Sequence, residues 1–160
     1  MTSKTELKVL TVLRAAELMR GMKTEQLKKL AALGQEVEFQ KDDVIYHRGA
    51  LGQAIYLILS GEVAIETDVP GQNRVTLNVL GPGRFFGWSS LFPAERKMFS
   101  TRATRTTRAI AFNADRLRQL WQTDHELEYA LIRRAGQSMA DRIKATRQQL
   151  ADLFNPVPIK

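Results

Sequence analysis

The stretch FQKDDVIYHRGALGQAIYLILSGEVAI, residues 39–65, decides the fold. Its β-branched and aromatic runs are short, and the breaks between them carry Gly, Asp or Ser, which is typical of strands joined by tight turns. Residues 56–59, YLIL, are apolar on both faces and predict a central strand. In residues 62–66, EVAIE, apolar and acidic side chains alternate, which predicts a half-buried strand with Glu62 and Glu66 facing solvent.

The sequence on either side of this stretch continues the strand pattern. The further β-rich runs are EVEF at 36–39, RVTLNVL at 74–80 and RAIAF at 108–112. Strands that recur about every 8 to 12 residues with turn signals between them predict a sandwich or roll. Helical periodicity precedes and follows this region, so the predicted fold class is α+β, mainly β.

Two pairs of helices are predicted, one before the strands and one after them. In the first pair Thr24 is the expected N-cap of the second helix, and Gly34 is its expected C-terminal stop. In the second pair Asn113 and Asp124 are the expected N-caps, and Asn155-Pro156 ends a long final helix. We therefore expect a single domain over residues 1–160, with N-terminal helices at 1–34, a β-roll at 35–112 and C-terminal helices at 113–155.

The long C-terminal helix carries apolar and small side chains at steps of four and three, which form a heptad seam over three repeats. Gly136 and Thr146 on this stripe would let a partner backbone approach closely. We therefore expect a homodimer, and packing of the stripe against its own domain is the alternative. The expected dimer seam consists of Met139, Ile143, Leu150 and Leu153.

Composition narrows the function classes. The 160 residues include no cysteine and carry a formal net charge of +7, and no apolar run approaches the ~20 residues that cross a membrane. No signal peptide is recognisable, so a cytoplasmic protein that does not contact membranes is expected. Twelve of the 24 Lys and Arg lie between residues 96 and 147. This basic block is interpreted as solvated surface, with an acidic partner or nucleic acid as the alternative.

The spaced glycines and the stretch LGPGRFFGWSSL, residues 80–91, resemble the cyclic nucleotide-binding domain family. The matching positions are Gly49, Gly52, Tyr56, Ser60, Gly61, Phe86 and Gly87. The resemblance implies a double-stranded β-helix, or jelly roll, with a phosphate-binding cassette at 81–101. It also implies a C-terminal helix that closes over the ligand or forms a dimer axis, as in bacterial catabolite activators. Because few residues follow the long helix, we expect a stand-alone form without a specific DNA-recognition module.

The cassette departs from the family pattern at two positions. The family has a glutamate for the ribose 2′-hydroxyl directly after Phe-Gly, and Trp88 stands there. Nine residues later Lys97 replaces the arginine that holds the phosphate, and a lysine lacks the bidentate fork. The candidate ligand-binding residues are Phe86, Gly87, Trp88, Ser89, Ser90, Arg96, Lys97 and Met98.

These departures predict an altered pocket. Trp88 removes an acceptor and adds bulk on the ribose side, and its ring either fills the pocket as core or serves as a stacking platform for a base. Met98 and Phe99 stand where the family has small residues. We expect cyclic AMP and cyclic GMP to bind weakly, and the combined change Trp88→Glu and Lys97→Arg to raise their affinity. A different small anionic ligand remains compatible with the basic residues.

The favoured hypothesis is a non-catalytic, dimeric regulatory or sensor domain with this altered pocket. The alternative is a ligand-free interaction protein whose basic C-terminal region docks an acidic protein or nucleic acid. An enzyme is disfavoured, because His47 and His125 are isolated and cannot form the metal cluster that jelly-roll enzymes need. No cofactor and no metal are expected.

Overall fold

The computed structural model describes residues 2–155. Within them, eight strands form two four-stranded antiparallel sheets, with helices before and after. The helices are α1 Lys4–Ala15, α2 Thr24–Ala31, α3 Ala114–Trp121 and α4 His125–Phe154, with 3₁₀ turns at Glu17–Met19 and Trp88–Leu91. The strands are β1 Gly34–Phe39, β2 Val44–Tyr46, β3 Ala54–Ser60, β4 Val63–Thr67, β5 Val75–Leu80, β6 Phe85–Phe86, β7 Ser100–Ala103 and β8 Thr107–Asn113.

The two sheets have the orders β1-β8-β3-β6 and β2-β7-β4-β5. Each order alternates strands from the two ends of the chain segment, so consecutive strands cross between the sheets except at the β4–β5 hairpin, which is the topology of a jelly roll. The predicted fold class, a jelly roll with N-terminal helices and a long C-terminal helix, is confirmed. The predicted central strand is also confirmed, because β3 lies between β8 and β6 and buries Leu57 and Ile58 completely.

Two apolar clusters hold the domain together. The larger one, called here the helical core, packs α1, α2, α3 and the first part of α4 against the first sheet. The smaller one, called the roll core, lies inside the roll and consists of Ile58, Val63, Ile65, Leu80 and Phe86. Half-buried apolar and aromatic side chains, including Tyr46 and Tyr56, line the roll core.

Strand β4 corrects one prediction from the sequence. Glu66 was expected to face solvent, yet it is only 3% exposed. The pairing of β4 with β5 shifts register between Ile65 and Glu66, and such a bulge interrupts the alternation of faces. The buried carboxylate is paired, since Arg102 Nε and Nη2 donate to its two oxygens at 2.9 and 3.0 Å. This hydrogen bonding with Glu66 raises the pKa of Arg102.

The predicted helix boundaries are partly correct. Asn113 and Asp124 are N-caps, and their side chains accept hydrogen bonds from the amides of Arg116 and Leu127. Thr24, however, is the first helical residue of α2 and not its N-cap; Lys23 is the N-cap, and its amide donates to the Gln26 side chain. Gly34 is the first residue of β1 rather than the stop of α2, because α2 already ends at Ala31. Pro156 lies outside the described residues.

Strands β6 and β7 were not predicted. Both lie inside the segment that the resemblance assigns to the cassette, and they have only two and four residues. Runs this short leave no measurable period, so their pairing with β3 and β4 defines them as strands.

Helix α4 has a packed part and an exposed part. Leu127, Leu131 and Ala135 are buried, and Met139 packs against the helical core. From residue 143 to residue 154 every side chain is exposed. Twelve helical residues span about 18 Å, so α4 extends well beyond the helical core.

Candidate functional site

Lys97 is the centre of the candidate site. Its side chain is buried, with 4% of the residue exposed. The ammonium donates to Ser90 Oγ at 2.9 Å and to the Gly87 carbonyl oxygen at 3.2 Å, and it lies 4.4 Å from the centre of the Tyr46 ring. Among the described residues, no carboxylate lies within 4.0 Å of this ammonium. The cation therefore has only neutral partners.

The charge of Lys97 is disfavoured in this position. Burial, followed by the nearby positive charge of Arg142, lowers the pKa of the lysine to about 8. Arg142 belongs to α4 and is half-buried, and burial likewise lowers its pKa, with Tyr46 opposing the shift and Arg84 adding to it. The positive charge of Arg142 thus adds to the cost of the charge on Lys97, and an anion bound near both would relieve it.

Gly52 makes room for Lys97. A Cβ atom at this position would lie 2.2 Å from Ser90 Oγ and 2.9 Å from Lys97 Cε, closer than real contacts allow. The backbone around it is paired with the lysine, since the Gly49 amide donates to the Lys97 carbonyl and the Lys97 amide donates to Ala50. The resemblance identified Gly49 and Gly52 as matching positions, and the close approach to Lys97 explains why Gly52 carries no side chain.

The cassette begins with a turn that requires glycine. Gly87 has φ +91°, and a Cβ there would lie 2.8 Å from the Ala54 carbonyl oxygen. The 3₁₀ turn Trp88–Leu91 follows, and within it Ser90 Oγ donates to Ala54 O at 3.0 Å. The Ser90 amide donates to the Gly87 carbonyl, so this amide is already satisfied inside the turn. Arg118 of α3 holds the same turn by donating to the Ser90 carbonyl at 2.6 Å.

Trp88 lies in the helical core rather than in the roll core. It is 3% exposed, and its ring centre lies 5.5 Å from that of Phe85. The chain changes direction at the left-handed residue Gly87. The side chain before it, Phe86, therefore lies in the roll core, and the side chain after it, Trp88, packs in the helical core. Of the two interpretations left open by the sequence, the structure places Trp88 as core. Its bulk therefore does not occupy the interior beside Lys97.

The other predicted site residues divide between the interior and the surface. Phe86 is fully buried in the roll core and stacks on Tyr56, with ring centres 4.8 Å apart. Ser89 is half-buried in the cassette turn. Arg96 is exposed and donates to the Gly49 carbonyl at 2.8 Å, and Met98 is 74% exposed. The structure thus brings Phe86, Gly87, Ser90 and Lys97 together, and it does not bring Arg96 and Met98 to them.

Sequence reasoning missed three residues of this interior, Tyr46, Tyr56 as a packing partner, and Arg142. The Tyr46 ring contacts the Lys97 ammonium, and burial raises the pKa of its hydroxyl. Tyr56 was noted only as a matching position, and Arg142 only as part of the basic block. One tyrosine on each of two predicted strands, Tyr46 on β2 and Tyr56 on β3, could have indicated an aromatic interior. In α4, by contrast, the local sequence does not distinguish Arg142 from the neighbouring exposed residues.

Neither a metal site nor a membrane span was found in the described part of the chain. No group of three or more His, Cys, Asp or Glu side chains is placed to hold a metal ion there. The helices between residues 2 and 155 include none with the length and hydropathy to cross a membrane.

Comparison with known proteins gives a consistent result. Residues 36–124 match the family described as cyclic nucleotide-binding domain. A CRP-like cAMP-activated global transcriptional regulator of Mycobacterium tuberculosis is 30% identical over 149 residues, which cover 92% of this chain and 64% of the regulator. The chain therefore spans less than two thirds of the length of that curated relative.

Solved structures agree with the sequence match. The catabolite activator protein of Thermus thermophilus is 26% identical with a TM-score of 0.69, over 86% of this chain and 62% of that one. A cyclic nucleotide-binding domain from Methylobacillus flagellatus has a TM-score of 0.79 over 98% of this chain and 86% of its own, and at 22% identity it shows the fold alone.

Proposed function

We propose that this chain, which belongs to the cyclic nucleotide-binding domain family, is a non-catalytic regulatory domain whose roll binds a small anionic ligand at Lys97. The observation that carries the proposal is the buried ammonium of Lys97, whose partners in the described part of the chain are all neutral. A buried charge is costly unless an opposite charge compensates it. An anion bound beside Lys97, with Arg142 of α4 on its other side, supplies that compensation.

Cyclic nucleotides are expected to be weak ligands of this site. The position of the family's ribose acid carries Trp88, whose side chain packs in the helical core and offers no acceptor to the roll core. Lysine at 97 contributes a point charge in place of a bidentate guanidinium. Each missing hydrogen bond to a charged group weakens binding by about 1.5 to 3 kcal/mol, or roughly tenfold to a hundredfold.

Calorimetry on the wild type, Lys97→Met and Arg96→Gln tests the proposed site. Cyclic AMP and inorganic phosphate are the probes. We expect the wild type to bind both more weakly than micromolar, and Lys97→Met to lose at least about tenfold in affinity. Arg96→Gln removes the same charge one residue away, at an exposed side chain, and should bind like the wild type. Sub-micromolar binding of cyclic AMP by the wild type contradicts the altered pocket, and equal binding by Lys97→Met contradicts the site.

One observation favours the second candidate, a ligand-free interaction protein. Aromatic rings of Tyr46, Tyr56 and Phe86 pack against each other inside the roll, and Lys97 already donates to protein acceptors. The same calorimetry separates the two candidates. If neither probe produces heat at millimolar concentration, the second candidate is favoured.

We also propose that α4 pairs with α4 of a second copy of this chain. Beyond residue 142 its apolar side chains cover no part of their own domain, and Ile143 is 69% and Leu153 77% exposed. Ile143 and Leu150 are seven residues apart, as are Thr146 and Leu153, which is the repeat that a self-complementary coiled coil needs. A projecting helix of this length is marginal in water without a partner. Met139, the fourth predicted seam residue, is half-buried against the helical core and would sit at the edge of the interface.

Ile143→Asp is expected to convert a dimer into a folded monomer. A carboxylate on the seam would be buried opposite the same carboxylate of the second copy, and burying two like charges at an apolar interface costs several kcal/mol. Ala145→Asp adds the same charge on another face of the exposed helix and should leave the dimer intact. Light scattering at micromolar concentration measures the mass, and circular dichroism confirms folding. A wild type that is monomeric under these conditions refutes the dimer.

A further inference from the structure

A cleft of the described chain lies outside the roll. It encloses about 820 Å³ between the 3₁₀ turn Glu17–Met19, the turn that precedes β6, and the middle of α4. A volume of this size matches ligands of nucleotide or drug size rather than a single ion. The cleft is separate from Lys97, which does not line it. We call it the basic cleft, after four guanidiniums that line it, those of Arg20, Arg84, Arg133 and Arg134.

Charge in the basic cleft is not compensated by the protein. Two carboxylates, Glu17 and Asp141, also line it, so four positive and two negative side chains leave a net charge of +2. Among the described residues, none of Arg20, Arg84 and Arg133 has a carboxylate within 4.0 Å. The cations of the cleft are thus available to a ligand.

The wall of the cleft is fixed by Arg134. Its Nε donates to the Leu18 carbonyl and its Nη2 to the Arg20 carbonyl, both at 3.0 Å, so it ties α4 to the N-terminal helices. Burial, and then the neighbouring Arg133, lowers the pKa of Arg134. Clustered positive charges disfavour one another, and a bound polyanion would offset that repulsion.

The other lining residues form an apolar part and a polar part of the cleft. Phe85, Leu18 and Pro82 provide an apolar floor, on which a planar ring can lie. Arg84 and Arg133 present planar forks that hold phosphate oxygens bidentately. Ser138 and the carboxylates of Glu17 and Asp141 can accept hydrogen bonds from hydroxyl or amino groups.

We propose that the basic cleft binds a nucleotide with a di- or triphosphate, as a second ligand site distinct from Lys97. Such a ligand carries the ring, the hydroxyl groups and the several negative charges that the lining matches. Since the cleft joins α4 to the N-terminal helices, occupancy would stabilise their packed arrangement and thereby the orientation of the projecting part of α4.

Calorimetry with ATP and with inorganic pyrophosphate, at about 0.15 M salt to suppress unspecific attraction, tests the proposal. We expect the wild type to bind ATP, and the double variant Arg84→Gln and Arg133→Gln to lose about a hundredfold, at roughly tenfold for each guanidinium. Both side chains are exposed, and within residues 2–155 neither has a carboxylate within 4.0 Å, so the variant should fold. Pyrophosphate should bind more weakly than ATP, because it leaves the apolar floor uncovered.

Two controls separate this site from the rest of the molecule. Arg105→Gln with Arg116→Gln removes the same charge from exposed positions elsewhere and should keep the wild-type affinity. Lys97→Met should also bind ATP normally, so the basic cleft and the roll site succeed or fail independently. The proposal is overturned if ATP produces no heat at millimolar concentration, if the control double variant loses as much affinity, or if Lys97→Met abolishes binding.

Discussion

Trp88→Glu is expected to destabilise the domain by more than about 4 kcal/mol and not to create a ribose site. Tryptophan to alanine in a core costs about 3 to 5 kcal/mol, and glutamate adds the penalty of a buried, unpaired carboxyl. The side chains around Trp88 are apolar and include Leu13, Met19 and Leu117. The combined change with Lys97→Arg, favoured from the sequence for restoring cyclic-nucleotide binding, should therefore fail at the folding step. Urea unfolding followed by circular dichroism measures the loss.

Trp88→Phe is the matched control for that experiment. It keeps an aromatic ring against Phe85 and removes the buried indole N–H, which finds no hydrogen-bond partner among residues 2–155. We expect this variant to fold and to lose no more than about 2 kcal/mol, since a smaller cavity is offset by the removal of an unsatisfied donor. If Trp88→Glu is as stable as the wild type and gains affinity for cyclic AMP, then the side chain at 88 faces the roll core and its assignment to the helical core is wrong.

The elements that the sequence predicted correctly are those with local causes. Asn113 and Asp124 cap helices because each bonds an amide three residues ahead, which sequence spacing alone encodes. The strand at residues 54–60 was predicted because an apolar run bounded by turn residues needs no knowledge of its partners. Glu66 was misassigned because a register shift on β4 and a partner from β7, Arg102, decide its environment.

The candidate site divides in the same way. The spacing within the cassette makes Lys97 a candidate but does not predict its burial, which depends on the approach of the Gly52 loop from 45 residues earlier in the chain. The direction of Trp88 depends on the left-handed turn at Gly87, and both core and interior were compatible with its sequence position. Arg142 joins the site only because α4 packs across the roll, a tertiary arrangement that a helical period does not specify.

Lys97→Met is expected to stabilise the domain at neutral pH, although it removes two hydrogen bonds. Burial, and then the positive charge of Arg142, lowers the pKa of Lys97 from 10.5 to about 8 in the folded protein, which corresponds to a cost of roughly 3 kcal/mol for the charged form. Because the unfolded chain holds this proton more tightly, the cost is fully present below pH 8. It is relieved as the pH rises from about 8 towards 10.5, so the wild type should gain stability over that window relative to Lys97→Met.

Urea unfolding of both proteins at pH 7 and pH 10 measures this difference. Burial raises the pKa values of Tyr46 and Tyr56 in the folded wild type, so the tyrosines also contribute to the pH dependence of stability. Lys144→Met, at an exposed position of α4, should stay within about 0.5 kcal/mol of the wild type. Added phosphate should narrow the gap between wild type and Lys97→Met at pH 7, because an anion beside the ammonium offsets the cost of burying it. A gap that is the same at both pH values, or a wild type more stable than Lys97→Met at pH 7 without phosphate, would show that Lys97 is fully compensated by its own neighbours and that its charge does not call for a ligand.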